Sequence, residues 1–414
     1  MSDPHAHDLV SRRRALTRLG AAASCGALGA WGGGVVMAWG DVPSSSASQP
    51  QLQAQSARAG PKPRVTTIAS GLTNPWGLVV LPDGRALVTE RPGHLRVVGV
   101  DGSLSTAMAG IPTVDARGQG GLLDIAIDPD FQNNRHLYFS FAEPGTGAEA
   151  GLNGTAVARA VWRTGAASLS DVQVIFRQTP KVDSTAHFGS RLVFARDGSL
   201  FVTLGERFSR RDEAQNLANT LGKVVRIRSD GRVPADNPFV GRAGAMPAIW
   251  SLGHRNVQGA AIHPSTGELW TCEHGPQGGD EVNIDRAGRN FGWPRISFGC
   301  AYGTPVGDCT PVGGASAAPG LEPPLATWVP TSIAPSGMAF YTGSMFPQWR
   351  GSLFIGALAG RALWRLSLDG NRVVAREALF RELDERIRDV RQAPDGSILL
   401  VTDSSNGRIL RLRA

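Results

Sequence analysis

From residue 64 onward, short runs that alternate apolar and polar residues recur, each preceded by a turn carrying Asp, Gly or Pro. The unit appears as Pro82-Asp83-Gly84 before Ala86-Leu87-Val88-Thr89-Glu90, as Asp128-Pro129-Asp130 before His136-Leu137-Tyr138-Phe139-Ser140, and as Asp197-Gly198 before Ser199-Leu200-Phe201-Val202-Thr203. It returns at His263-Pro264 before Glu268-Leu269-Trp270-Thr271, at Arg350-Gly351 before Ser352-Leu353-Phe354-Ile355, and at Pro394-Asp395-Gly396 before Ser397-Ile398-Leu399-Leu400-Val401-Thr402. A period of two marks strands, and the turn residues mark hairpin ends. Several copies lead into a second alternating run, as in Ala362-Leu363-Trp364-Arg365-Leu366 and Arg408-Ile409-Leu410-Arg411-Leu412. Six ordered copies predict an all-β, six-bladed β-propeller with four-stranded antiparallel blades over residues 64–414. The wide interval between the fourth and fifth copies, roughly Asn290 to Pro347, reads as a loop insertion. In such a ring, loops from every blade converge at one end of the central channel, so residues distant in sequence can build one site.

Composition fits this reading: Gly 52 and Pro 27 supply turns, while 42% apolar residues suffice for a large core. The net charge is +7, but Arg12, Arg13, Arg14, Arg18, Arg58 and Lys62 against Asp3, Asp8 and Asp41 place +3 of it before residue 64. The remainder is mildly basic and has no basic run with interleaved aromatics, so no nucleic-acid partner is expected. Ser11-Arg12-Arg13-Arg14-Ala15-Leu16, followed by a small-residue and apolar stretch, resembles a twin-arginine export signal over residues 1–40, with an ordinary secretory signal or a membrane anchor as the alternative. Either signal leads out of the cytoplasm, to a periplasmic or secreted location without an integral membrane domain in the mature protein. Cys25 is a candidate for lipid attachment, and residues 41–63 read as a flexible Ser/Gln/Ala/Pro-rich linker. Cys300 and Cys309 bracket a short Gly/Pro loop and could close a disulfide in an oxidising compartment, leaving Cys272 as a buried strand thiol.

Chemistry concentrates between Ser251 and Pro294. His254-Arg255-Asn256 forms a cationic hydrogen-bonding fork, while Glu273-His274-Gly275-Pro276 and Asp280-Glu281 form an oxygen-rich loop with exposed carbonyls. Together they suit an anionic ligand held with a hard cation. Elsewhere, His187 sits in a small-residue loop before the third repeat strand and Glu206 follows that strand, an arrangement suited to a base with an orienting carboxylate or to a hydrogen-bonded structural histidine. Gly118-Gln119-Gly120-Gly121 supplies one amide amid permissive backbone; no β-α-β pattern follows, which excludes a dinucleotide-binding motif. Arg386 and Arg388 share one side of an extended segment, either as a solvated edge or as a carboxylate-binding pair.

These segments, with Gly71-Leu72-Thr73-Asn74-Pro75-Trp76, Asn290-Phe291-Gly292-Trp293-Pro294 and Arg386-Ile387-Arg388-Asp389, resemble the soluble pyrroloquinoline quinone (PQQ)-dependent sugar dehydrogenases of the glucose/sorbosone dehydrogenase family, especially its aldose branch. The resemblance implies a PQQ- and calcium-dependent oxidation of aldoses to lactones, with electrons passed to an external acceptor such as a cytochrome, quinone or dye. By that resemblance His187 is the base and Glu206 its supporting acid, where relatives commonly carry Asp. Arg255 would polarise the reactive quinone carbonyl, Gln119 and Asn256 would bind the cofactor's edge, and Arg386 and Arg388 its carboxylates. The carbonyls of Gly275 and Pro276 would hold the calcium on the cofactor; Glu281, with Asp280 and the backbone of Phe291, would hold a second. A cofactor-contacting lysine of the glucose-oxidising branch falls on Ala359; either Arg361 replaces its charge or that contact is missing, which favours the aldose branch over glucose specificity. Two other classes remain open from the residues alone: a calcium-dependent lactonase on a similar propeller, and a non-catalytic propeller that binds a glycan or protein.

Overall fold

The computed structural model describes residues 63–414. The expected export signal, Cys25 and all but the last residue of the expected linker lie outside the described residues. Among those described, six antiparallel sheets follow one another along the chain. Their first strands are Pro75–Val80, Leu122–Ile127, Leu192–Phe194, Val257–Ile262, Pro335–Phe340 and Ile387–Gln392, and each packs against the corresponding strand of the neighbouring sheets, closing a six-membered ring. The last sheet takes its outer strand from the other end of the chain: Arg64–Leu72 pairs with Gly407–Arg413, from Arg64 opposite Arg413 to Leu72 opposite Gly407. This joint removes the open edges that would otherwise end the ring.

The six sequence repeats are the second strands of the six blades: Ala86–Glu90, His136–Pro144, Leu200–Thr203, Leu269–Glu273, Leu353–Ala357 and Ile398–Thr402. Five blades are four-stranded. The first has three strands and a rudiment of a fourth, in which Leu104 bridges Val98 and the Ser105 N–H bonds to the Val97 carbonyl. The interval from Asn290 to Pro347 is not all loop; it contains the outer strand of the fourth blade, Ala326–Trp328, and the first strand of the fifth. Few alternating apolar positions in these three- and six-residue strands made them hard to see in sequence.

Each blade is sandwiched between two others, so its apolar residues form a separate core at every junction. Leu87, Leu122 and Phe139 pack between the first two blades; Tyr138, Leu192 and Val225 between the next two; and Phe201, Val224 and Ala260 between the third and fourth. Trp270, Met338 and Ile355 continue the ring, followed by Phe354, Leu363 and Leu400, and by Leu78, Val88 and Val401 where it closes. Burying an aliphatic or aromatic side chain of this kind stabilises the fold by about 1.5–3 kcal/mol.

Because both faces are covered, the polar positions of the second strands are buried too, and they latch blade to blade. Thr89 Oγ1 donates to the Leu123 carbonyl. Ser140 Oγ donates to Ser190 O at 2.7 Å, and Thr203 Oγ1 to Val257 O at 3.0 Å. Cys272 continues the series: its buried Sγ lies 3.1 Å from Ser336 O, so the free thiol is a weak donor at a latch position. Its burial also pushes the thiol pKa up, which keeps it inert.

Deeper in the channel, charged side chains replace apolar ones. Arg191 reaches Asp124 at 2.8 Å and Asp389 at 3.2 Å, while Arg391 reaches the same two carboxylates at 3.2 and 2.9 Å. Asp124 also accepts the Leu192 N–H, and Asp389 the Leu78 N–H. Two guanidinium groups and two carboxylates thereby tie together the first strands of four blades.

Candidate active site

Beside this paired floor lies a cavity of about 200 Å³ to which all six blades contribute. Trp76 touches both regions, with the Arg191 guanidinium 4.4 Å and the Arg388 guanidinium 5.7 Å from its ring centroid. The cavity is lined by Arg91, Arg386 and Arg388 but by only one carboxylate, Asp403, together with Gln119, Gln258, His274 and the backbone around Gly189. Asp403 serves two of the arginines: Arg386 Nη2 donates to its Oδ2 at 2.7 Å and Arg388 Nη2 at 3.2 Å. The two guanidinium groups hold the Asp403 carboxyl below its ordinary value against the opposing effect of burial. Arg388 also donates to Gln258 Oε1, yet its buried Nε has no protein acceptor. An excess of enclosed positive charge with an orphaned donor fits an anionic ligand.

Next to the cavity, His187 Nδ1 lies 3.1 Å from Glu206 Oε1, close enough to pair but not aligned as a hydrogen bond. His187 is almost fully buried; burial, with Arg255 and Arg207 nearby, pulls its pKa below the ordinary histidine value, while Glu206 opposes the shift. A neutral imidazole results, which is the form that can accept a proton. Gln119 Oε1 accepts the backbone N–H of His187 at 2.9 Å, and Asn256 Oδ1 accepts the N–H of Gly189 at 3.1 Å. Asn256 itself bridges to Gly205, and the Glu206 N–H bonds to the Arg255 carbonyl. Gly205 is needed at this crossing because a Cβ there would come within 2.1 Å of the His187 carbonyl oxygen.

The His187 loop is strained and clamped. His187, Arg207 and Phe208 have φ values of +51, +66 and +64°, which side-chain-bearing residues rarely adopt. Arg207 is fully buried, stacks 3.8 Å from the Phe188 ring centroid, and donates to the carbonyls of Ala186, Ser184 and Asn153 and to Asn153 Oδ1. Burial lowers its pKa to about 10, still well above neutrality. Its charged fork therefore fixes the backbone on the N-terminal side of His187.

Arg255 approaches from the other side. Its N–H donates to Glu273 Oε2, Nη1 to the His274 carbonyl and Nη2 to Tyr302 Oη, while its buried Nε has no protein acceptor. His254 points away from the cavity. It is enclosed between Glu273 and Asp285, whose charges raise its pKa to about 10 against the effect of burial, so it is a structural imidazolium that holds Glu273. His274 faces the cavity instead; burial and the neighbouring cations lower its pKa to about 3, and its Nε2–H donates to Pro335 O.

The expected calcium residues separate into two kinds. Gly275, Pro276, Glu281 and Phe291 surround a void of about 10 Å³ together with Glu273. Burial first, and the Glu273 charge next, push the Glu281 carboxyl up to about 8, a repulsion that a cation would relieve. Asp280 is otherwise engaged. Its oxygens accept from the N–H groups of Gly275, Ile333 and Ala334 and from Ser332 Oγ, which ties the carbonyl loop to the fifth blade and leaves it a structural rather than a ligating place. Among the described residues, no group of three or more His, Cys, Asp or Glu side chains is arranged to hold a metal, so a cation here would rely on backbone carbonyls.

Of the expected cofactor residues, Gln119, Arg386 and Arg388 line the larger cavity, and Arg255 and Asn256 join it through His274, Gly189 and Gln258. Arg361 is not brought there; it is half exposed and pairs with Asp384 at 2.9 Å. Arg91, Asp403 and Arg207 are the residues that sequence reasoning missed. The repeat itself held the signal: each follows a second strand, at Thr89-Glu90-Arg91, Thr402-Asp403 and Gly205-Glu206-Arg207, the position that also supplies Glu206 and His274. The expected disulfide between Cys300 and Cys309 is present, and Cys300 and Gln277 exchange backbone hydrogen bonds that dock its loop beside the Gly275 turn.

A family model described as Glucose / Sorbosone dehydrogenase matches residues 72–411. An aldose sugar dehydrogenase of Escherichia coli is 41% identical over 349 residues, covering 84% of this chain and 92% of that protein. The crystal structure of a glucose dehydrogenase superposes with a TM-score of 0.80 at 48% identity, over 85% of this chain and 100% of the other. The PQQ-bound aldose sugar dehydrogenase of Streptomyces coelicolor does so with a TM-score of 0.69 at 30% identity, over 85% and 98%.

Proposed function

Because the chain belongs to the glucose/sorbosone dehydrogenase family, we propose that it oxidises aldoses at the anomeric carbon to lactones, with PQQ in the central cavity and calcium beside it. The observation that carries this reading is the cavity's charge: three guanidinium groups face one carboxylate next to a neutral histidine. A tricarboxylate fits that surplus, and Arg386, Arg388 and Gln119 are the residues placed to hold it, with Arg91 rather than Arg361 as the additional cation. When bound, the quinone supplies the two-electron acceptor that no side chain can provide.

The protein's own part is proton management and positioning. His187 uses Nε2, the nitrogen turned from Glu206, to take the proton of the sugar's C1 hydroxyl, and Glu206 stabilises the imidazolium that forms. Arg255 directs positive charge to the place where negative charge develops. Gly275, Pro276, Glu281 and the Phe291 backbone hold calcium, while Asp280 shapes the loop. A lactonase would need acidic and amide side chains around a channel cation, and the arginine lining does not suit that chemistry.

The disulfide and the arginine-led N-terminus support a periplasmic or secreted location, with the twin-arginine route as the proposed path and an external acceptor receiving the electrons. No helix among the described residues is long and apolar enough to cross a membrane. Purified protein should take up PQQ in the presence of Ca²⁺ and reduce a dye when given an aldose panel. Failure both to bind PQQ and to reduce dye with any aldose would refute the reading.

A further inference from the structure

We propose that Phe208 and Tyr302 form an aromatic wall that selects the sugar by packing on the C–H face of its ring between His187 and Arg255. The proposal rests on the dehydrogenase reading above. Both side chains are exposed, Phe208 at 53% and Tyr302 at 62%, in a chain that buries most of its other aromatics. The Phe208 ring stands edge-on to His187 with centroids 5.1 Å apart, and it lies 6.4 Å from the Tyr302 ring. Tyr302 Oη accepts a hydrogen bond from Arg255 Nη2, and the Arg255 guanidinium lies 5.8 Å from the Tyr302 ring centroid. Two rings from different loops therefore touch the two groups placed at the reacting carbon.

Neither ring is needed by the core, yet the backbone is strained to present one of them. Arg207 and Phe208 are consecutive left-handed residues, an arrangement that turns Arg207 into the protein and Phe208 outward. Arg207 anchors the inner half through four hydrogen bonds to Ala186, Ser184 and Asn153. Tyr302 is held by the loop that Cys300–Cys309 closes, which Gln277 secures further by donating from Nε2 to Thr304 O. Neither ring lines the cavity of about 200 Å³, so the wall stands beside the cofactor's space and not within it. A pyranose has a hydroxyl edge for His187 and Arg255 and an apolar C–H face for flat rings, the combination that ligand sites with a few placed polar groups use.

The test compares the wild type with Phe208→Ala, Tyr302→Ala and Tyr302→Phe, all at exposed positions. In PQQ-loaded protein, each alanine variant should raise KM for aldopyranoses roughly tenfold, with kcat and PQQ affinity little changed. Tyr302→Phe should retain most of the sugar affinity. Saturation-transfer NMR with glucose gives a readout apart from turnover: irradiating aromatic protons should label the sugar's C–H protons in the wild type and less in either alanine variant. Unchanged KM for sugar in both alanine variants, or a change in KM for the dye instead, would overturn the wall. If the wild type fails to oxidise any aldose, the dehydrogenase reading falls separately. The NMR contrast then decides the wall: transfer lost in Phe208→Ala supports it, and no transfer in the wild type removes it.

Discussion

The channel contains two arginine clusters separated by Trp76, and they differ in one respect that decides their roles. In the floor, Arg191 and Arg391 meet Asp124 and Asp389, so charge is balanced within the protein. In the cavity, Arg386 and Arg388 share Asp403 while Arg91 donates to backbone carbonyls, and the surplus charge suits an anion. Residue type alone would put both in the same class. Balanced burial ties blades together, whereas unbalanced burial stores binding capacity that a ligand releases.

The strongest test of the cavity side is His187→Ala, which removes the base without touching either arginine cluster. Turnover should fall by about 10²- to 10⁴-fold while PQQ uptake, followed spectroscopically, persists. On the floor, Asp124→Ala should strip Arg191 and Arg391 of a shared partner and destabilise the protein by about 3–5 kcal/mol, read from the denaturant midpoint. A midpoint close to wild type would erase the distinction between the clusters. Replacing both Arg386 and Arg388 by alanine should do the reverse: PQQ affinity should drop by roughly 10²-fold or more, given about 1.5–3 kcal/mol for each charged hydrogen bond. The double variant also leaves Asp403 without its two guanidinium partners, so PQQ affinity is to be compared at a temperature where both apoproteins are folded.

A smaller effect concerns pH. Since the His187 pKa is held below the ordinary value, kcat/KM should remain high down to slightly acidic pH and fall as His187 becomes protonated. Glu206 raises that pKa and Arg255 lowers it, so Glu206→Gln should move the acid limb to lower pH and Arg255→Ala to higher pH. Opposite movements would contradict the placement of His187 between them. The smallest expected change is at Arg361→Ala, where an exposed pair with Asp384 should leave PQQ affinity unmeasurably altered. A clear loss there would return Arg361 to the cofactor.

The residues of the candidate site that the structure brings together from the sequence reading sit in loops with conspicuous chemistry: His187, Gln119, Arg255 and the Arg386/Arg388 pair. Asp280 misled because a carboxylate in a glycine-rich loop looks like a ligand, while its partners Ser332, Ile333 and Ala334 are half a hundred positions away. Arg361 misled because it lies only two residues from Ala359, but the chain turns through a left-handed residue there and carries the side chain outward. Arg91 and Asp403 were passed over since one arginine or aspartate at a strand end is ordinary turn chemistry until six strand ends are brought together.

The sequence by itself determined the second strand of each blade, the sixfold repetition and the kinds of chemistry in the loops, because alternation and turn residues are local properties that short segments express wherever they occur. Only the tertiary structure decided which charges are partnered. Whether an arginine buttresses the fold or waits for a ligand depends on carboxylates contributed by other blades, and burial converts that difference in pairing into either stability or binding.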